Sequence, residues 1–207
     1  TQVKKLVPNG GAGVFDNSCK TLKKYAMRRI LFLFLLLHLP VFGYTQFLPK
    51  DIQGNDVKQC EDGGFIVAGN KLLKRTDRNG NLLWYKTLSI NAKSLQTTSD
   101  GGFIVAGSKV KNSSSQTGFL IKTDRHGNVL WEKTYAKGEA NSVQITSDGG
   151  FIVAGTIKIT EGYTYNNYLF KTDRNGNLLW ERKYARGEAE SLQTTSDGGF
   201  IVAGSKV

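Results

Sequence analysis

The chain has 207 residues, a formal net charge of +11, 39% hydrophobic and 22% charged residues, a globular balance and not a disordered one. With 2 Cys and 2 His it can build neither a disulfide scaffold nor a Cys-rich zinc module nor a His-rich metal site, and 24 Gly against 3 Pro point to tight turns and away from a Pro-rich stalk. The charge excludes a nucleic-acid stripe: residues 1–26 carry a net +4, Arg28 and Arg29 follow, and from Gln46 onward a net of +5 is spread at one or two basic residues per repeat, a solvated surface and not a phosphate-neutralising cluster.

Residues 1–26 show neither clean periodicity nor a hydrophobic face and read as an upstream, non-domain segment translated in frame. Met27, the only Met, is followed by Arg28 and Arg29, the apolar run 30–37, and then His38, Leu39 and Pro40. A positive start, an apolar centre and a helix-breaking Pro are the parts of a secretory signal peptide. The run 30–39 has 10 residues, which at about 1.5 Å rise per residue is too short for a hydrocarbon core of about 30 Å. Extension by Val41 and Phe42 into an uncleaved anchor is the competing reading. Cleavage after Gly43 or Thr45 leaves small residues at imperfect positions, and no Cys follows for lipid attachment. The segment 27–45 is thus expected to direct secretion or cell-surface display, with no membrane span left after cleavage.

From residue 46 the chain repeats itself. Residues 62–69, Asp-Gly-Gly-Phe-Ile-Val-Ala-Gly, recur at 100–107, 148–155 and 197–204. A second block, 74–84, returns at 121–131 and 170–180, with Trp84, Trp131 and Trp180 spaced by 47 and 49 residues. A third, 94–99, is matched at 142–147 and 191–196. Each unit reads as four short strands, which in the second unit are A (94–98), B (103–106), C (119–123) and D (129–135). Strand B is apolar on both faces, so it needs cover on both sides. Asp100-Gly101 predicts a two-residue hairpin between A and B. Residues 123–127 fit a type I turn closed by a left-handed Gly, in which His126 stands where Asn79 and Asn175 stand in the other units and reads as a turn residue. The stretches 135–140 and 184–189 are expected to carry the chain from the outer edge of one unit to the inner edge of the next.

Four antiparallel strands per unit with no helical period predict an all-β fold, a partial β-propeller of four-stranded blades. A stacked solenoid is the second choice, because its repeats are usually shorter. The units span about 51–90, 91–139 and 140–188, with a partial unit 189–207, about three and a half blades. Uncovered edges and apolar faces would then invite association, so the chain is read as a piece of a longer protein.

The pattern Ser-x-Gln-x-Thr-x-Asp-Gly-Gly-Phe-Ile-Val-Ala-Gly followed by Lys-Thr-Asp-x-x-Gly-Asn-x-x-Trp-x-x-x-Tyr resembles bacterial secreted β-propeller repeats of the SBBP or delta-60 kind, loosely related to pyrroloquinoline-quinone-type propellers. The resemblance covers residues 56–207. It implies an exported or cell-surface protein, and adhesion or sorting modules often accompany such repeats.

The recurring residues have structural explanations. Trp84, Trp131 and Trp180 are expected to be packing wedges between blades more than a sugar platform, because an element present in every blade serves the blade. Asp77, Asp124 and Asp173 are expected to cap turns, since the run after each lacks the further carboxylates of a calcium loop. Cys60 takes the place of Thr98, Thr146 and Thr195 before the turn, or lies one residue off. No phosphate loop, metalloprotease helix or nucleophile elbow is present. No catalytic, cofactor or metal residue is therefore assigned. Function in a propeller usually sits where loops break the repeat. Residues 109–117 form one polar break. The other, 157–167, leads into Tyr168, and the contact candidates there are Tyr163, Tyr165, Asn166, Asn167 and Tyr168. The resulting expectation is a binding or structural scaffold at or outside the cell surface, with carbohydrate or a surface protein as partner. The alternative is an exported propeller enzyme with a quinone-type cofactor in the central channel, although the vicinal Cys pair that the resemblance would imply has no counterpart.

Overall fold

The computed structural model describes residues 2–6, 53–112, 115–158 and 165–205. The expected signal peptide, the remainder of segment 1–26 and Tyr163 lie outside the described residues. Every regular element among the described residues is a strand. The first blade is β2 (Asp56–Gln59), β3 (Phe65–Gly69), β4 (Leu72–Thr76) and β5 (Leu82–Thr87). The second is β6 (Asn91–Thr97), β7 (Phe103–Asn112), β8 (Ser115–Thr123) and the start of β9 (Val129–Ile145). The third is the end of β9 with β10 (Phe151–Lys158), β11 (Tyr165–Thr172) and β12 (Leu178–Arg186). In the fourth, β13 (Glu188–Thr194) and β14 (Phe200–Ser205) are joined by β1 (Gln2–Leu6). Neighbouring strands are antiparallel throughout. This is an all-β, open array of propeller blades.

The stretch expected to be a connector between the second and third blades is strand. β9 pairs with β8 through Val129–Lys137 residues and with β10 from Gly138 onward. A Cβ at Gly138 would lie 1.9 Å from the Thr156 carbonyl oxygen, so the strand can pass this corner only where no side chain intervenes. The blades on either side of the corner stack face to face. Ile104 and Ala106 of β7 pack with Phe151 and Val153 of β10 in one buried cluster. The opposite face of β7, Phe103 and Val105, packs with Ile66 and Ala68 of β3, and Ile152 and Ala154 of β10 pack with Leu192 and Phe200 of the fourth blade. Strand B is therefore covered on both sides, as its composition requires. Ile66, Ile104 and Ile152 have no exposed surface. At about 1.5–3 kcal/mol per fully buried large aliphatic side chain, these alternating contacts are the main attraction between blades.

The A–B turn differs from the expected two-residue hairpin. Gly101 N–H donates to Thr98 O at 2.9 Å and Thr98 N–H to Gly102 O at 2.9 Å, while φ is positive at Gly101 and not at Ser99 or Asp100. That is a three-residue loop closed by a left-handed glycine, the same class as the C–D turn, where Gly127 N–H donates to Asp124 O at 3.1 Å. A primed turn at Asp100-Gly101 would need positive φ at both residues in type I′ or at the first in type II′, and only Gly101 adopts it. The two-residue loop with positive φ at both positions instead joins β3 to β4, at Asn70 and Lys71.

β1 takes the third-strand register of the fourth blade. Lys5 lies opposite Ile201, as Arg75 lies opposite Ile66, Lys122 opposite Ile104 and Lys171 opposite Ile152.

Candidate functional site between the second and third blades

The recurring polar residues are engaged within the array. Asp124 accepts hydrogen bonds from the His126 and Asn128 backbone N–H groups at 2.8 Å each and from Asn128 Nδ2 at 2.9 Å; Asp77 and Asp173 do the same in their blades. These carboxylates cap turns, and His126 is a turn residue. Among the described residues no three His, Cys, Asp or Glu side chains gather as a metal site. Cys60 occupies the same turn position as Thr98, its N–H donating to Gly64 O at 2.8 Å, and burial raises its thiol pKa. The A–B turns of the first three blades also hold ion pairs: Arg75 with Asp62 at 2.5 Å, Lys122 with Asp100 at 2.8 Å, and Lys171 with Asp148.

The Ser-x-Gln motif links blades. Ser94 Oγ accepts from Val143 N–H at 3.3 Å, and Gln96 Nε2 donates to Val143 O at 3.2 Å. One blade on, Ser142 Oγ accepts from Leu192 N–H at 3.1 Å and Gln144 Nε2 donates to Leu192 O at 3.0 Å. In the first blade Asp56 replaces Ser and accepts from Leu95 N–H at 2.9 Å. The Trp residues wedge the outer edges. Trp84, Trp131 and Trp180 meet Phe103, Phe151 and Phe200 of the next blade at 6.2, 6.1 and 6.3 Å between ring centroids.

Against this repeating frame one region departs. Between the outer strands of the second and third blades lies an open cleft of about 540 Å³. Tyr135 of β9 stacks on Phe170 of β11 at 4.4 Å and 25° and donates its hydroxyl to Gly176 O at 2.7 Å. Tyr168 of β11 stands 5.4 Å from Phe170 and donates to the Glu181 carboxylate of β12. Lys133 bridges to Asn177 Oδ1 at 2.7 Å at the rim. The equivalent positions between the first and second blades hold Leu88 and Phe119 in place of Tyr135 and Tyr168. Burial pushes both phenols well above their usual range, and Glu181 adds to the rise at Tyr168. They stay protonated at neutral pH, so they are hydrogen-bond donors and not bases. Phe170 and Tyr168 are buried, 1% and 3% exposed, and both phenol protons are engaged within the protein, so the cleft presents the half-buried Tyr135 ring and the exposed Glu181 carboxylate, with Lys133 at the rim.

The expected contact loop is strand where it is described. Tyr165, Asn166, Asn167 and Tyr168 belong to β11, because β10 and β11 extend the hairpin to the Lys158–Tyr165 pair; Tyr163 is outside the described residues. The other polar break is likewise strand for most of its length, with Lys109 opposite Thr117. Only Tyr168 of the four described candidates lines the cleft. Asn167, one residue earlier and so on the opposite face, approaches the corner at Gly187, where an added Cβ would lie 2.9 Å from its Nδ2. Tyr135 repeats as Tyr184 and Glu181 as Glu132 in the Trp-Glu-x-x-Tyr segment, so they read as part of the repeat; the first unit departs from it, with Leu88 in place of Tyr135 and Tyr85 in place of Glu132.

No protein-family model matches the chain, and no curated protein matches it. Solved structures similar to it include a protein of unknown function from Bacteroides caccae, 18% identical, covering 72% of this chain and 52% of that one with a TM-score of 0.48. A Synechocystis apocarotenoid oxygenase mutant is 14% identical, covering 76% of this chain and 41% of that one with a TM-score of 0.42. The chain thus spans about half the length of the first of these structures.

Proposed function

We propose that this chain is an exported, non-catalytic β-propeller scaffold of the secreted-repeat kind, acting at or outside the cell surface, and that the cleft between its second and third blades contacts carbohydrate or a surface protein. The observation that carries this reading is the placement of Tyr135, Tyr168 and Glu181 around Phe170, at the one interface between complete blades where phenols replace aliphatic and phenyl side chains. The signal-peptide pattern after Met27 supports export. The exposed Glu181 carboxylate and the Lys133 ammonium suit the hydroxyls of a sugar or the amides of a peptide, and the half-buried Tyr135 ring beside them suits the apolar face of either.

Binding of the full chain to a glycan array and to intact cells tests this. Tyr168→Phe keeps the ring and removes the hydrogen bond that orients Glu181, and is expected to weaken binding about tenfold through the freed carboxylate. Glu181→Gln should weaken it similarly. Binding indifferent to both changes, or absent from wild type, overturns the proposal.

A further inference from the structure

Three pairs of aliphatic side chains stand in solvent at equivalent places: Leu82 and Leu83 on β5, Val129 and Leu130 on β9, and Leu178 and Leu179 on β12, each 48–58% exposed. Side chains alternate along a straight strand, so one member of each pair would turn into the array. A β-bulge prevents this in all three blades. Trp84 lies opposite Arg75 and Leu82 opposite Thr76, which leaves Leu83 as the extra residue; Leu130 and Leu179 are the extra residues in the same register. Bulges re-aim side chains, and here they keep aliphatics out of the core in every complete blade. The exposure of Val129 and Leu130 arises within the array, since their blade has a complete blade packed on either side.

The pairs adjoin along one rim. The turn that leads into Val129 rests on the strand that leaves Leu83: a Cβ at Gly127 would lie 2.7 Å from Trp84 Cη2, and Lys86 Nζ donates to Asn128 Oδ1 at 3.1 Å. Lys133 makes the same bridge to Asn177 one blade on. The turn before each pair carries an exposed arginine, Arg78, Arg125 or Arg174, of which Arg125 donates through Nε to His126 Nε2 at 3.0 Å. The nearby carboxylates are turned inward. Both oxygens of Asp77, Asp124 and Asp173 accept bonds within their turns, and Glu132 and Glu181 accept from Ser89 and Tyr168.

We propose that this rim docks on the surface of a bilayer containing anionic lipid, with the aliphatic pairs entering the boundary between headgroups and acyl chains and the three guanidinium groups meeting lipid phosphates. Protein interfaces concentrate their energy in a few central anchors seated in pockets. A row of like pairs, one per blade with a guanidinium beside each, presents the same shallow chemistry at every point, which matches a laterally uniform partner. Apolar area and cationic charge together are what bind a protein to a lipid interface. The rim is separate from the cleft, because Leu83, Leu130 and Leu179 do not line it.

Cosedimentation of the full chain with vesicles tests this, using phosphatidylcholine alone and an equimolar mixture with phosphatidylglycerol. Wild type is expected to bind the mixed vesicles about tenfold more tightly. Leu83→Ser, Leu130→Ser and Leu179→Ser combined are expected to weaken that binding by about tenfold or more. Arg78→Gln, Arg125→Gln and Arg174→Gln combined should abolish the preference for anionic lipid. Inorganic phosphate should compete no better than sodium chloride of the same ionic strength, because a free anion offers nothing to the aliphatics. Amide exchange in β7 and β10 confirms that the variants are folded, and if the triple serine variant is not, Leu130→Ser alone, with a loss of about threefold, decides. Wild type that ignores the mixed vesicles, binding unmoved by a folded serine variant, or specific competition by free phosphate overturns the proposal. Binding to intact cells that needs these leucines, without any binding to vesicles, overturns it too and assigns the rim to a protein partner.

Discussion

Individual side chains tie each blade to the next through contacts with little tolerance. A Cβ at Gly176 would lie 2.8 Å from Trp131 Cη2, and the residue has a φ of +74°. Gly176→Ala therefore meets two penalties at once, a left-handed backbone and an aromatic ring already wedged against Phe151. The expected loss is about 1–3 kcal/mol, read from the urea midpoint, whereas Gly149→Ala, with the same backbone hand and open space around it, should lose only the backbone part. Equal losses would remove the ring contact from the account. The turn carboxylates give a pH dependence. Hydrogen bonds from Lys171, Thr146 and the Gly150 N–H hold Asp148 at about 2 despite partial burial. Burial pushes Asp100 up but is outweighed by Lys122, Thr98 and the Gly102 N–H, which also leave it at about 2. An unfolded Asp takes up its proton near pH 3.9, before the folded one does. Both groups therefore contribute stability above that pH and lose it as the pH falls from about 4 toward 2. Urea midpoints followed from pH 6 to pH 2 should fall, and Asp100→Asn with Asp148→Asn should flatten the decline. Both carboxylates are more than half exposed, so solvent screening keeps the effect modest.

At the level of strands, what could be read in advance was whatever depends on neighbours in sequence. The run Phe103-Ile104-Val105-Ala106 needs two apolar partners because side chains alternate, and it has them. The Trp near the start of each D strand wedges the next blade for the same local reason. The purpose of Ser-x-Gln was not legible, because its partner lies |i−j| = 49 or 47 residues away on another blade and no local pattern encodes that register. The cleft was hidden similarly: Tyr135 stands in a stretch that reads as a connector, and Tyr168 and Glu181 meet only through the pairing of β11 with β12. β1 carries no copy of the repeat motifs in its five residues, so its place beside β14 depends on backbone pairing that composition does not reveal. Two expectations follow. Ser142→Ala leaves the buried Leu192 N–H without its acceptor and should cost about 1–3 kcal/mol; a change under a few tenths would mean that the ladder is decorative. Deleting residues 2–6 should speed amide exchange across residues 200–204 by about tenfold or more while β7 and β10 keep their protection, and unchanged exchange would show that β1 leaves the edge of β14 unpaired.

Across the whole molecule, stability is a sum over interfaces between successive blades and not the property of one core. The buried residues divide into three clusters, one for each pair of adjacent blades, so cooperativity must pass from blade to blade as in a one-dimensional array. Among the described residues the end blades are each packed against one neighbouring blade, and Val57 is 53% exposed and Ile201 half-buried. Protection from amide exchange should therefore be highest in β7 and β10 and lowest in β2 and β14, in a graded order that a single global unfolding event would not produce. Trp131 sits at the middle interface, against Phe151 and the Gly176 turn. Trp131→Ala should cost about 3–5 kcal/mol, and because the lost contact joins the two halves, it should separate exchange in β3 and β7 from exchange in β10 and β14. Trp180→Ala, at the last interface, removes an equivalent ring from the end and should lower protection in β14 while leaving β3 unchanged. If both substitutions lower protection uniformly along the chain, the blades behave as one cooperative core, and the stacking of separable interfaces is the wrong description of what holds them together.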